Sequence, residues 1–244
     1  MKRIIALALT AAFLPVAALA GPPAPKKEGI ESKEYKWNAQ EGEKVEALKL
    51  KGDAKNGRDT YEVCGACHLP SGAGRPDGTF PQLAGQHATV LIKQMADIRE
   101  GLRDNPTMYP FAKEAMTNPQ ELADTSAYIQ SLCIPLDHGK YEGADSAKQV
   151  AAGKDLYEKQ CKECHGANGE GDKDKFYPVI AGQHYKYLLR QMTEIRDGKR
   201  RNANPDMVKV IKPYTNEQLV AISAYQSSLK MPGAMCKPAA GKKK

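Results

Sequence analysis

The sequence has little of what marks several large functional classes. Beyond residue 20 no stretch is apolar enough to span a bilayer. No glycine-rich loop leads from a strand into a helix, so a nucleotide-phosphate site has no support. Strand-like alternation is missing as well. Aromatics are sparse, with one Trp and four Phe in 244 residues, and no dense Lys/Arg cluster is interleaved with them, which argues against nucleic acid. The charge bias is modest: 36 basic against 29 acidic residues give a formal net charge of +7. Such a surplus serves solubility, and it can also steer the chain to an acidic partner or to peripheral contact with an anionic membrane face.

Cysteine is scarce too, but its placement is informative. Four of the six cysteines lie in two pentapeptides, Cys64-Gly65-Ala66-Cys67-His68 and Cys161-Lys162-Glu163-Cys164-His165. Cys-x-x-Cys-His is the attachment sequence of a c-type haem: the thiols form thioethers with the vinyl groups, and the adjoining imidazole ligates the iron. One helical turn presents both sulfurs to one haem edge and brings the His under the metal. A single copy favours haem but could be a redox dithiol or half a zinc site; two copies in matching contexts point to two covalently bound haem c groups. Cys133 and Cys236 are left over, and in an oxidising compartment they are expected to form a disulfide.

That compartment is indicated by residues 1–20, which read as a signal peptide. Lys2 and Arg3 precede an apolar run from Ile4 to Val16, and Ala18-Leu19-Ala20 is a cleavage site. An uncleaved anchor is the alternative. The mature protein is therefore expected in the periplasm. Residues 21–52, rich in Lys, Glu, Pro and Gly, read as a flexible or loosely docked N-terminal arm in which Trp37 packs against the first domain.

The rest is a duplication. Cys161 follows Cys64 by 97 residues, and Pro178 follows Pro81 and Tyr225 follows Tyr128 by the same interval. Ala84-Gly85-Gln86-His87 recurs as Ala181-Gly182-Gln183-His184, and Gln94-Met95 with Ile98-Arg99 recurs as Gln191-Met192 with Ile195-Arg196. The reading is a first domain at 53–133, a linker at 134–146, a second domain at 147–232 and a tail at 233–244. Each repeat is predicted all-α. One helix begins near Gly57 or Gly153 and enters the haem motif. A second carries an apolar stripe (Leu91, Met95, Ile98; Leu188, Met192, Ile195) and stops at Gly101 or Gly198. A third opens on Asn118-x-x-Glu121 or Thr215-x-x-Gln218, which resemble capping boxes. A domain of this size has a small core, and a covalent haem would fill much of it.

With His68 and His165 as proximal ligands, the opposite face of each iron decides the chemistry. Met108 and Met207, each following a proline-bearing loop, are the candidates; a thioether there favours ferrous iron and raises the potential. Filling the core is the alternative role for both. Met95 and Met192 lie on the apolar stripe and are expected to pack. His87 and His184 are rival ligands, although a hydrogen bond to a propionate or to the backbone suits them better. His138, unrepeated, is expected to be solvated.

The duplicated pattern resembles the cytochrome c4 family over roughly residues 53–232, on both haem motifs, the Ala-Gly-Gln-His elements, the Gln-Met-x-x-Ile-Arg helices, Met108, Met207 and the Ala-Tyr final helices. The resemblance implies two tandem class I cytochrome c domains related by an approximate twofold, His/Met ligation, and haems close enough to exchange electrons. It further implies electron delivery between redox partners, often to a membrane terminal oxidase, with a periplasmic dehydrogenase as another partner. The expected function is that of a carrier, not an enzyme. A dihaem enzyme of thiosulfate dehydrogenase or peroxidase type is the alternative, but the former would place a cysteine thiolate where this chain offers Met108. Neither the arm, the Cys133/Cys236 pair nor the end at Lys242-Lys243-Lys244 belongs to the core pattern.

Overall fold

The computed structural model describes residues 23–133 and 139–230, so residues 1–20, expected to be a signal peptide, His138, Cys236 and the C-terminal tail lie outside the described residues. Ten α-helices and one isolated bridge, between Asp172 and Tyr177, make up the regular structure of the described residues. None of these helices is long and apolar enough to cross a membrane. The first repeat holds α2 (Ala54–His68), α3 (Ala88–Glu100), α4 (Tyr109–Glu114) and α5 (Pro119–Ser131). The second holds α6 (Ser146–Gln160), α7 (Lys162–His165), α8 (Tyr185–Arg196), α9 (Pro205–Ile211) and α10 (Asn216–Ser228). Ahead of both, α1 (Gly42–Lys49) lies in the arm and packs on α3 and α5.

In each repeat the motif helix crosses the last helix at close range, α2 on α5 and α6 on α10. Glycine permits the approach: a Cβ on Gly57 would overlap the Asp124 carbonyl, and one on Gly153 would overlap that of Ala221. Beside each crossing two tyrosine rings meet, Tyr61 with Tyr128 at 5.3 Å and Tyr157 with Tyr225 at 5.2 Å. The caps follow the expected sequence signals unevenly. Thr215 and Gln218 form a complete capping box, whereas Asn118 accepts from the Gln120 and Glu121 N–H groups while Glu121 turns to Thr117 instead. Gly101 is the left-handed C-cap of α3; Gly198 lies one residue beyond the C-cap of α8.

Three features depart from the sequence expectations. The motif helices start earlier than Gly57 and Gly153. Met207 lies in the first turn of α9, and Met108 is the N-cap of α4, so short helices follow the proline-bearing loops. From Pro23 onward the arm lies along both repeats; its composition hides this because the side chains it buries include Lys44 as well as Ala47.

The repeats face each other through a seam with twofold reciprocity. Gln183 accepts from the Gln82 N–H (3.0 Å) and donates to the Gln82 carbonyl (2.9 Å). Gln86 does the same to Val179, at 2.9 Å each way. His87 Nε2 meets the Glu170 carbonyl and His184 Nε2 the Ala73 carbonyl, both at 2.8 Å. Each contact is answered by one in which both members are replaced by their counterparts 97 positions away: Gln82 by Val179, Gln86 by Gln183, His87 by His184 and Ala73 by Glu170, which is what a twofold between duplicated units requires.

Candidate functional site

Each Cys-x-x-Cys-His motif sits where the first helix of its repeat ends. The Asp53 side chain caps α2 at the Lys55 N–H, and the helix runs unbroken through His68. In the second repeat one extra residue separates Tyr157 from Cys161, compared with Tyr61 and Cys64. The insertion shifts the helical phase by about 100°. The chain absorbs it by ending α6 at Gln160 and restarting as α7 at Lys162. Both versions are tied down alike: Tyr61 Oη donates to the Leu69 carbonyl (2.9 Å) and Tyr157 Oη to that of Gly166 (2.7 Å).

Both motif histidines are oriented by a backbone carbonyl. His68 Nδ1 lies 2.9 Å from the Pro81 carbonyl, and His165 Nδ1 lies 3.3 Å from that of Pro178. An N–H at Nδ1 donating to that oxygen leaves the Nε2 lone pair free for a metal. Burial holds both imidazoles below the usual histidine pKa, in their neutral form. Phe80 packs edge-on to His68 at 5.9 Å, and Tyr177, its counterpart, lies 6.5 Å from His165.

Cys64 and Cys161 are buried, Cys67 and Cys164 half-buried, and none of the four is in a disulfide. Burial pushes Cys64 and Cys161 up to about 11, so these are neutral thiols rather than the activated thiolates of a redox dithiol. Nor do the motifs find the further ligands that a zinc site needs, since no group of three or more His, Cys, Asp or Glu gathers among the described residues.

Both motifs open on one continuous cavity of about 720 Å³. Leu91 and Ile98 line it in the first repeat and Leu188 and Ile195 in the second, and Met108 and Met207 also face it. Met95 and Met192 reach it from the apolar stripes of α3 and α8, where they pack in the core as expected. Neither His87 nor His184 lines it; both turn across the seam to backbone carbonyls of the other repeat. Cys133 is disulfide-bonded and is no part of the cavity wall; Cys236, its expected partner, lies outside the described residues.

Between the two halves of the cavity stand two arginines that answer each other across the seam. Arg103 donates to Gln94, Gln191 and the Tyr187 hydroxyl, and Arg200 donates to Gln191 and Gln94. Burial, then the charge of Arg103, brings Arg200 down to about 10. Burial alone would raise Tyr187, but the charges of Arg103 and Arg200 carry it below the ordinary tyrosine value. Three buried oxygens on the cavity wall, Gln82 Oε1, Thr125 Oγ1 and Gln226 Oε1, have no partner. An apolar chamber with free thiols beside poised imidazoles, a positive seam and unmatched polar atoms fits a haem, which brings an apolar ring, iron and carboxylates to the same place.

Sequence reasoning did not identify Gln86, Gln183, Arg103 and Arg200 as seam residues. The signal was their recurrence at the 97-residue interval, which marks them as structural partners without saying of what.

Comparison with known proteins agrees with this geometry. The cytochrome c family model matches residues 54–133 and 150–230, one match per repeat. Cytochrome c4 of Azotobacter vinelandii is 35% identical over 195 residues, spanning 73% of this chain and 90% of the relative. A protein of Stutzerimonas stutzeri named thiosulfate dehydrogenase electron acceptor is 28% identical over 193 residues, spanning 73% and 88%. The crystal structure of reduced recombinant cytochrome c4 from Pseudomonas stutzeri superposes with a TM-score of 0.64 at 30% identity, covering 73% of this chain and 99% of that one. With two tandem cytochrome c domains, each carrying a haem c attachment motif, the chain belongs to the cytochrome c4 family of dihaem c-type cytochromes.

Proposed function

We propose that this protein is a periplasmic dihaem electron carrier in which Cys64 and Cys67 attach one haem c and Cys161 and Cys164 the other. His68 and His165 supply the proximal nitrogens, and Met108 and Met207 the opposite ligands. A haem c held at each site supplies a one-electron ferric/ferrous couple. The chain's own residues do the rest. Pro81 and Pro178 carbonyls hold the imidazoles in one tautomer and orientation. The apolar walls exclude water, and a thioether opposite each His favours the ferrous state.

The observation that carries this reading is the matched pair of sites on one continuous cavity. Two such sites suit relay between partners. A catalytic reading needs an open or cysteine-ligated iron. Here Met108 lines the cavity, and Cys133 is disulfide-bonded and outside its lining. The relative named as an electron acceptor of thiosulfate dehydrogenase supports a periplasmic dehydrogenase as donor, and a membrane terminal oxidase is the corresponding acceptor.

The test is the near-infrared Met-to-ferric charge-transfer band of the oxidised holoprotein, quantified per haem. Two equivalents are expected in the wild type, and Met108→Ala and Met207→Ala should each remove one. Wild-type spectra in both variants would overturn the ligand assignment. A wild type with one band or none would return catalysis to contention.

A further inference from the structure

The N-terminal arm touches both repeats, and it does so where the seam lies. On the first repeat the Lys27 N–H donates to the Gly101 carbonyl (3.1 Å), and Lys27 Nζ pairs with Glu100 at 2.6 Å. On the second, the Ile30 N–H donates to the Arg201 carbonyl (2.8 Å), and Arg201 pairs with Glu31 at 2.8 Å. Gly29 is buried so tightly on Arg201 that a Cβ there would overlap the Arg201 carbonyl. Within five residues, therefore, the arm is fastened to both halves of the molecule.

Further along, the arm enters the seam itself. Trp37, on the wall of the cavity, lies under the Lys93 ammonium, with Nζ 5.3 Å from the ring centroid. Lys93 is 1% exposed and pairs with Asp97 on the next turn of α3. The Asp97 carboxylate also accepts from Asn202 Nδ2 of the second repeat at 2.7 Å. Arm, first repeat and second repeat thus meet in one contiguous chain of contacts, Trp37 to Lys93 to Asp97 to Asn202. Beyond Trp37, α1 closes the attachment, with Glu43 receiving Arg99 of α3 at 2.7 Å.

We infer that residues 23–50 form a strap that positions the two haem domains against one another, holding the seam closed so that electrons pass between the haems at one fixed geometry. Interfaces between domains of one chain are ordinarily small and polar, and relative motion is their default. This seam is built of hydrogen bonds from Gln, His and Arg side chains, so an external fastening has something to do. Coupling is carried by a contiguous network with a defined arrangement, and the chain from Trp37 to Asn202 is such a network. The strap itself is independent of the carrier reading; only its role in electron exchange rests on that reading.

The test uses the full-length holoprotein with Gly29→Ala, which unseats the arm from Arg201, and Trp37→Ala, which removes the ring under Lys93. Gly29 lies off the cavity wall, so haem content should stay at two equivalents in Gly29→Ala; Trp37 lines the cavity, so haem content is measured for its variant and its exchange rate is read per dihaem molecule. The Gln82 and Val179 amides, each bonded across the seam to a glutamine side chain, report on its opening by hydrogen exchange. The Lys27 and Ile30 amides report release of the arm. In both variants the seam amides should exchange at least about tenfold faster while the helical amides of α5 and α10 keep their protection. The rate of electron exchange between the haems should fall by a similar factor, and Trp37→Phe, which keeps a ring under Lys93, should restore most of both. Wild-type protection of Gln82 and Val179 in a variant whose Lys27 and Ile30 amides exchange freely would overturn the strap. An unchanged exchange rate once the seam has loosened would overturn its positioning role. Failure of the dihaem reading would show separately, as a wild type without two haem equivalents.

Discussion

At the scale of single residues, the chain separates groups whose chemistry is local from groups whose partners lie far away in sequence. The haem motifs were legible because the spacing of two thiols and an imidazole is itself the chemistry. The role of His87 and His184 was only half legible: a hydrogen bond to the backbone was foreseeable, but not that the acceptors are Glu170 and Ala73 of the opposite repeat. Lys93 and Asp97 were invisible as a pair, since both sit within a stripe read for its apolar members. Both are buried, and burial lowers the Lys93 pKa against the opposing pull of Asp97. Removing one charge from such a pair leaves the other buried and unmatched. Asp97→Asn is expected to cost about 3 kcal/mol or more in chemical denaturation of the holoprotein. The double variant Lys93→Met/Asp97→Leu, which removes both charges, should recover much of that loss. Equal losses in the two would show that shape, not charge balance, dominates at this position.

At the scale of elements, the long amphipathic helices α3 and α8 could be read from their periodicity, and the capping signals placed the start of α5 and α10. The short helices α4 and α9 could not, because one or two turns after a proline give no periodic stretch to measure. α1 escaped for a different reason: its sequence is polar, and its stability comes from what it packs on rather than from its own pattern. The break between α6 and α7 was latent in the sequence as one inserted residue between Tyr157 and Cys161, where the interval between the repeats changes from 96 to 97. What holds each repeat together is the crossing of its motif helix over its last helix. That contact puts backbone against backbone at Gly153, so no rotamer change can make room for a methyl group. Gly153→Ala should therefore destabilise the second domain by about 2 kcal/mol or more, although Ala is the better helix former. Denaturation followed at the second haem should show the loss. A stabilised Gly153→Ala variant would mean that α6 and α10 can separate without cost.

At the scale of the whole molecule, the two halves are joined by polar groups, and one of these is a histidine whose pKa is held below its ordinary value. The duplication was plain in the sequence, but the seam was not, because a 97-residue recurrence says that two units are alike and leaves open which faces meet. His87 lies in the seam, with its Nε2 on the Glu170 carbonyl and Asp172, Lys173 and Asp174 close by. Burial lowers its pKa from the ordinary 6.5, and the upward pulls of the Glu170 carbonyl, Asp172 and Asp174 do not offset this. The sign follows from linkage: a histidine whose folded pKa is depressed binds its proton more readily when unfolded, so its contribution to stability is complete above 6.5 and is lost as pH falls below that value. His68 and His165, the proposed iron ligands, would not share in this titration in the holoprotein. Stability of the holoprotein measured between neutrality and pH about 5 should decline with acidification. His87→Gln, which keeps a donor for the Glu170 carbonyl but has nothing to protonate, should flatten that slope. The Val179 amide, bonded within the same seam, should lose hydrogen-exchange protection with acid in the wild type more than in His87→Gln, after correction for the intrinsic pH dependence of exchange. Identical slopes in the two proteins would mean that the seam accommodates the charged imidazole, and that its closure is set by the glutamines and arginines alone.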